Sequence, residues 1–373
     1  MSERIRTLAT LTYMRAQLLC AMLEENGIEC FITNINRIKE APGGVKVKIN
    51  ETDARDAMDI YKRFKSAYGK EKESAVSYMK SIRRILVPVD FTSHSENAIH
   101  YALLIASQLK ADIKLFNAYL DPMGTPQTYF ESYAYHPDFD KIVKEIEEET
   151  ERNLIALTNR IKAKIKEKII VGVNVSYDMA KGNAINSVLY ETEEYKPGII
   201  ILGTRGSELD GLRAFGSFTS QIIDKSPVPV LAVPSGYNSQ NIDSPKRILY
   251  ATDFDQTDFS ALSRLVTIAH PFNSKVYCVH VAENKVKKED ELLMLELRKY
   301  LFNVLGEVNT ECGLLESDDM QEGIEKFITS RNIDVLAITT RKRNLLQKLF
   351  SPSITKRFLF QSNIPLLVFQ SRA

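Results

Sequence analysis

An excess of charge of one sign is missing from this chain of 373 residues, in which 49 lysines and arginines stand against 48 aspartates and glutamates. That balance offers nucleic acid no basic surface and gives an anionic membrane nothing to attract. Cysteine is scarce, and Cys20, Cys30, Cys278 and Cys312 form no Cys-x-x-Cys pair. Neither a zinc site nor a disulfide framework is expected, and all four read as reduced thiols of a cytoplasmic protein. No apolar run approaches the length of a membrane span, and Met1-Ser-Glu-Arg-Ile-Arg-Thr7 lacks the apolar core of a signal peptide. Catalytic motifs are absent too: there is no Walker lysine, no His-Glu-x-x-His cluster and no base paired with a nucleophile. The five histidines are isolated, and His280, on an apolar strand, reads as a satisfied core residue. The apolar content at this length supports two or three domains, each with its own core.

What the chain does have is a glycine run in an informative place. Gly203-Thr-Arg205-Gly206 is followed, nine residues on, by Gly216-Ser217. The apolar strand Gly198–Leu202 enters this run and the apolar-periodic segment Phe218–Ile223 leaves it. A buried strand, a glycine turn and small residues opening a helix together make a phosphate site. Glycine lets the backbone approach an anion, and free N–H groups at a helix start point at the charge. The hydroxyls of Ser217 and Thr219 add donors. Gly211 and Gly216 have the spacing of a P-loop without its lysine. A dinucleotide fingerprint would need a third glycine close to Gly203 and Gly206, and none is there.

The chain also repeats itself. Arg84-Ile-Leu-Val-Pro-Val-Asp90 returns as Arg247-Ile-Leu-Tyr-Ala-Thr-Asp253, and Ile113–Tyr119 as Val276–Ala282, both at an offset of 163. Ile199–Arg205 returns as Val335–Arg341, and Val228–Val233 as Ile364–Phe369, at an offset of 136. The two offsets differ by 27, which places an insertion in the first copy after its second strand. Short apolar strands alternating with longer helical patterns predict an α/β fold: two tandem five-stranded parallel sheets with helices on both faces. Ligands then belong at the carboxyl ends of the strands, where Asp90 and Gly203 fall. Ser93-x-x-Glu96 predicts a capping box at the first helix. Pro229 and Pro365, near the start of each last strand, suit an edge strand or a strand entrance.

The insert near Leu120–Tyr135 holds Tyr129, Phe130, Tyr133 and Tyr135 and reads as a loop packing its aromatics onto its own domain, with a stacking surface as the alternative. The Glu145–Glu151 run reads as a solvated helix face. Residues 1–68 stand outside the repeat. Strands over Ile5–Tyr13, Ile28–Thr33 and Val45–Ile49 and helices over Met14–Glu25 and Glu51–Phe64 predict a small α+β unit of order βαββα. The expected organisation is 1–68, a linker at 69–82, a first copy at 83–236, a linker at 237–245 and a second copy at 246–373.

The pattern Gly-x2-Gly-x9-Gly-Ser resembles the ATP-binding signature of the universal stress proteins at every position, and the strand-ending Asp90 agrees with it. The resemblance covers both copies; residues 1–68 are similar to a family of small domains labelled signal-transducing, which implies a regulatory or docking role. It implies a Rossmann-like fold and ATP, with Mg2+, as ligand. Pro88 and Asp90 would line the adenosine end and Ala118 would lie beside the base. Leu202, Gly203 and Gly206 would form the turn under sugar and phosphates, with Arg205 able to reach a phosphate. Gly216, Ser217, Phe218 and Thr219 would hold the phosphates, Phe218 being larger than the aliphatic residue usual there. In the second copy Gly203, Gly206 and Gly216 become Thr339, Lys342 and Pro352, and Ser217 persists as Ser353. Phosphate binding is therefore expected in the first copy alone.

The resemblance also implies two-fold pairing through last strands, here between the two copies of one chain, with a homo-oligomer and an unidentified protein partner left open. The expectation is a nucleotide-dependent regulatory or stress-response protein whose second copy is the intramolecular partner of the first. A nucleotide-free scaffold and a slow ATPase are the other readings, and nucleotide found in protein purified without added ligand separates the first two.

Overall fold

The computed structural model describes residues 5–11, 16, 19–20, 22–24, 26–33, 45–64, 82–119, 139–204, 217–234, 245–254, 256–283, 285–305, 309–340 and 364–370. Near the N-terminus β1 (Ile5–Leu11), β2 (Cys30–Thr33) and β3 (Val45–Asn50) form an antiparallel sheet of order β1-β3-β2. Helical residues at 16, 19–20 and 22–24 and the helix α1 (54–64) pack Leu19, Leu23, Ile60 and Phe64 against its Val47 and Ile49. The cysteines depart from expectation. Cys20 and Cys30 are joined in a disulfide, because the first helix and the start of β2 bring their Cα atoms to 5.6 Å. Cys278 and Cys312 are free and buried.

The two copies form one ten-stranded sheet. The first contributes β4 (Arg84–Pro88), β5 (Asp112–Tyr119), β6 (Val175–Lys181), β7 (Ile199–Thr204) and β8 (Val230–Pro234). The second contributes β9 (Arg247–Ala251), β10 (Lys275–Glu283), β11 (Thr310–Ser317), β12 (Val335–Thr339) and β13 (Leu366–Phe369). The order β11-β10-β9-β12-β13-β8-β7-β4-β5-β6 is parallel within each half and antiparallel only where β13 meets β8. There Leu367 pairs with Leu231, its own counterpart in the repeat, with Leu366 on Ala232 and Val368 on Val230 to either side. That register makes a pseudo-two-fold axis between the two leucines. Gln370 adds a bond across it, donating Nε2 to the Ile223 carbonyl at 2.9 Å. Pro229 and Pro365 therefore precede central strands and mark strand entrances; the sheet's edges are β6 and β11.

Period-two burial shows why these segments are strands. Ile85, Val87, Ile199, Ile201, Leu231 and Val233 face one layer of helices, while Leu86, Ile200, Leu202, Val230 and Ala232 face the other. The first layer is α2 (Ser93–Leu109), α3 (Phe139–Glu167), α6 (Gln256–Ala269) and α7 (Lys288–Leu305). The second is α4 (Ala184–Tyr195), α5 (Ser217–Lys225) and α8 (Met320–Arg331). Both layers take residues from both repeats, so each apolar core runs across the joint. Among the described residues, no helix is long and apolar enough to cross a membrane. The aromatic insert expected near Leu120–Tyr135 lies outside the described residues.

The repeats match down to their backbone. Asn183 caps α4 by accepting from Ile185 and Asn186 N–H at 3.1 and 3.2 Å, and Asp319 caps α8 in the same way at 2.7 and 3.1 Å. Left-handed residues also recur in pairs: Phe91 with Phe254, Lys110 with Asn273 and Lys196 with Asn332. The expected capping box at α2 does not form. Its N-cap is Thr92, without a side-chain cap bond, and Glu96 instead receives Arg160 of α3 at 2.8 Å.

Leu367 tests the joint. An aspartate there would place an unpaired charge inside the first apolar layer, at an expected cost on the order of 3 kcal/mol or more. Urea unfolding measures it, and unchanged stability would contradict the pairing.

Candidate functional site

A cleft of about 350 Å³ opens where β4, β5 and β7 end, at the point where the strand order of the first repeat reverses. Seven of the eleven residues named from the sequence line it: Pro88, Asp90, Ala118, Leu202, Gly203, Phe218 and Thr219. Ser217 is the first residue of α5. Arg205, Gly206 and Gly216 lie outside the described residues. Sequence reasoning missed Val89, His94, Ser95, Phe116, Asn117, Ala184 and Val188, which complete the lining. Asn117 was open to detection, since it stands between Phe116 and Ala118 at the end of a strand already assigned to the site. His94 gave no signal of its own; its Nδ1 is buried without a hydrogen-bond partner among the described residues.

Asp90 sits just past β4, where the next residue, Phe91, turns left-handed at φ 62°. A bulky residue holds that conformation only when its neighbours fix it. Here Thr92 does so, donating its N–H and its hydroxyl to Asp90 Oδ1 at 3.1 and 2.6 Å. Burial pushes the Asp90 carboxyl up, but the bonds from Thr92 and Ser95 outweigh it and hold the carboxyl below its ordinary range. Beside it Val89 N–H donates to the Phe116 carbonyl at 2.8 Å, and Asn117 Nδ2 donates to the Val89 carbonyl at 2.7 Å. These bonds tie the end of β4 to the end of β5. On the far wall Thr219 is buried in the first turn of α5, where the positive end of the helix dipole favours an anion.

Gly203 has a packing role that the sequence did not show. Its backbone is not left-handed, but a Cβ there would stand 2.1 Å from the His94 carbonyl oxygen and 3.2 Å from Ser95 N. The missing side chain lets β7 pack against the start of α2, which sets the floor of the cleft.

The second repeat fills the same place with side chains. Thr339 replaces Gly203, Asp258 replaces Ser95, Thr252 replaces Val89 and Tyr250 replaces Val87. Asp258 is buried and accepts from Tyr250 OH at 2.7 Å, Thr252 Oγ1 at 2.8 Å, Asp253 N–H at 2.9 Å and Thr339 Oγ1 at 3.4 Å. Burial and the adjacent Asp258 push the Tyr250 hydroxyl well above its usual value, which keeps it a donor. His280 stands where the first repeat has Asn117. Its Nδ1 donates to the Thr252 carbonyl at 2.9 Å, as a satisfied strand-end residue, and its ring lies tilted against Phe254 with centroids 4.6 Å apart. The counterparts of the later glycines, Lys342 and Pro352, lie outside the described residues.

Two substitutions test this geometry. Gly203→Ala should cost roughly 1–3 kcal/mol through overpacking against α2, and an alanine variant as stable as the parent would refute the contact. The Asp90 clamp predicts a pH effect. A carboxyl held low in the folded state stabilises above its unfolded range and loses that contribution as pH falls through the folded value. Asp90→Asn should therefore reduce the loss of stability between about pH 7 and about pH 3; an unchanged pH profile would show the clamp contributes nothing.

Comparison with known proteins agrees on the architecture. A model of the universal stress protein family matches residues 81–234 and 245–370, more than half of the chain. The universal stress protein YxiE of Bacillus subtilis (strain 168) is 24% identical over 152 residues, 40% of this chain and 97% of YxiE. A solved universal stress protein from Archaeoglobus fulgidus DSM 4304 is 15% identical and covers 78% of this chain and 99% of its own, with a TM-score of 0.56. That likeness shows the fold.

Proposed function

The chain belongs to the universal stress protein family, and from that premise we propose that it is a stress-response regulator that binds ATP in its first repeat only. The contrast at the strand ends carries the proposal: the first repeat has a cleft whose floor is set where Gly203 packs against α2, whereas at the matching positions of the second repeat Thr339 donates to the buried Asp258. The cleft has the size and mixed lining of a small-molecule site. Phe116, Ala118, Val188 and Leu202 give a base apolar walls. Thr219 and the start of α5 suit the phosphates, and the signature residues Gly206, Gly216 and Ser217 extend that end in sequence. Mg2+ would accompany the phosphates, its usual ligands.

In this reading the second repeat keeps the fold without the ligand. It covers the last strand of the first repeat, as a second subunit would, and its own crevice is closed by hydrogen bonds. ATP occupancy would then act on one half of a rigidly joined pair, an asymmetry that two equal sites would lack. Calorimetric titration of the purified chain with ATP should give a stoichiometry near one per chain. A value near two would overturn the asymmetry, and no binding would favour the nucleotide-free scaffold.

A further inference from the structure

The strand ends on one side of the cleft have a definite hydrogen-bonding sense. Asn117 Nδ2 donates to the Val89 carbonyl, which can only accept, so the orientation of the amide is fixed. Its Oδ1 has no donor among the described residues and is not among the buried unpartnered atoms, so it stands in the cleft as an open acceptor. Asp90, at the end of the neighbouring strand, is a carboxylate with about four lone-pair sites, more than Thr92 and Ser95 use. Neighbouring strands lie about 4.8 Å apart, a spacing at which two strand-end acceptors can serve adjacent groups of one ligand.

Such a pair of acceptors repels a phosphate and calls for donors. An adenine nucleotide has two kinds at its nucleoside end, the ribose hydroxyls and the 6-amino group. The base belongs against the apolar walls, which leaves the sugar for the strand ends. We infer that Asn117 is a specificity residue of this site, accepting a ribose hydroxyl through Oδ1 beside the Asp90 carboxylate. The inference rests on the nucleotide reading of the cleft and goes beyond it, since it says which part of the ligand the strand ends recognise.

The second repeat provides a matched control. His280 holds the Thr252 carbonyl through Nδ1 as Asn117 holds that of Val89. Asn117→His therefore keeps the tie between the strand ends and removes the amide oxygen. The full-length parent and this variant are titrated calorimetrically with ATP, 2′-deoxy-ATP, 3′-deoxy-ATP and inosine triphosphate. The parent should bind ATP about tenfold or more tighter than at least one deoxy analogue. The variant should lose that ratio while the ratio of ATP to inosine triphosphate stays as in the parent. A purely structural role would weaken all four ligands together and leave the ratios intact, which would overturn the inference. So would a parent that binds ATP and both deoxy analogues equally, a comparison that needs no variant. A variant that shifts only the inosine ratio assigns Asn117 to the base and also overturns it. In each of these cases ATP binding by the parent still upholds the nucleotide reading, whereas a parent that binds none of the four overturns both.

Discussion

A strand buried on both faces and open along one edge is hard to leave in water, and each repeat ends in one. The antiparallel contact of β8 with β13 closes both edges at once. Ten strands become one sheet, and the apolar layer on each face passes from one repeat to the other without a break. Because the register places Leu231 opposite Leu367, the halves are related as two subunits of a symmetric dimer would be, yet they are covalently one chain. The cleft lies on the first repeat's side of this joint. It lies where β4 and β7 part, and β7 is held on its other side by β8.

Covalent fusion frees the halves to differ, which two identical subunits could not do. Their backbones agree at the caps of α4 and α8 and at the left-handed Phe91 and Phe254. They part in the side chains at the carboxyl ends of the strands. In the first repeat glycine at 203 lets the start of α2 close on β7, and the polar groups nearby are held by short local bonds. In the second, a carboxylate stands where the first repeat has Ser95 and four donors have gathered on it. A buried carboxylate costs free energy unless its hydrogen bonds are made. Here they are made internally, so the residues that would greet a ligand are already engaged with one another.

Much of this was legible in the sequence because it depends on period and offset. Two offsets revealed the repeat, period-two apolar runs gave the strands, and the family resemblance implied the last-strand pairing. The errors lay where distant residues compete. Glu96 has the right spacing for a capping box, but Arg160 lies 64 residues away in sequence and beside it in space. Four dispersed cysteines read as unrelated thiols until the fold carried Cys20 to Cys30. Gly203 was recognised, but for an anion's approach and not for the His94 carbonyl that its Cβ would strike. Asn117 was passed over because an amide in a strand carries no motif; its meaning comes from the carbonyl it holds on the next strand.

The central claim is that side chains at the strand ends, on a common backbone, decide which repeat receives a ligand. Hydrogen–deuterium exchange with and without ATP tests it site by site. The account predicts slower exchange at the ends of β4, β5 and β7 and at the start of α5, and no change at the ends of β9, β10 and β12. Equal protection in both repeats would contradict it.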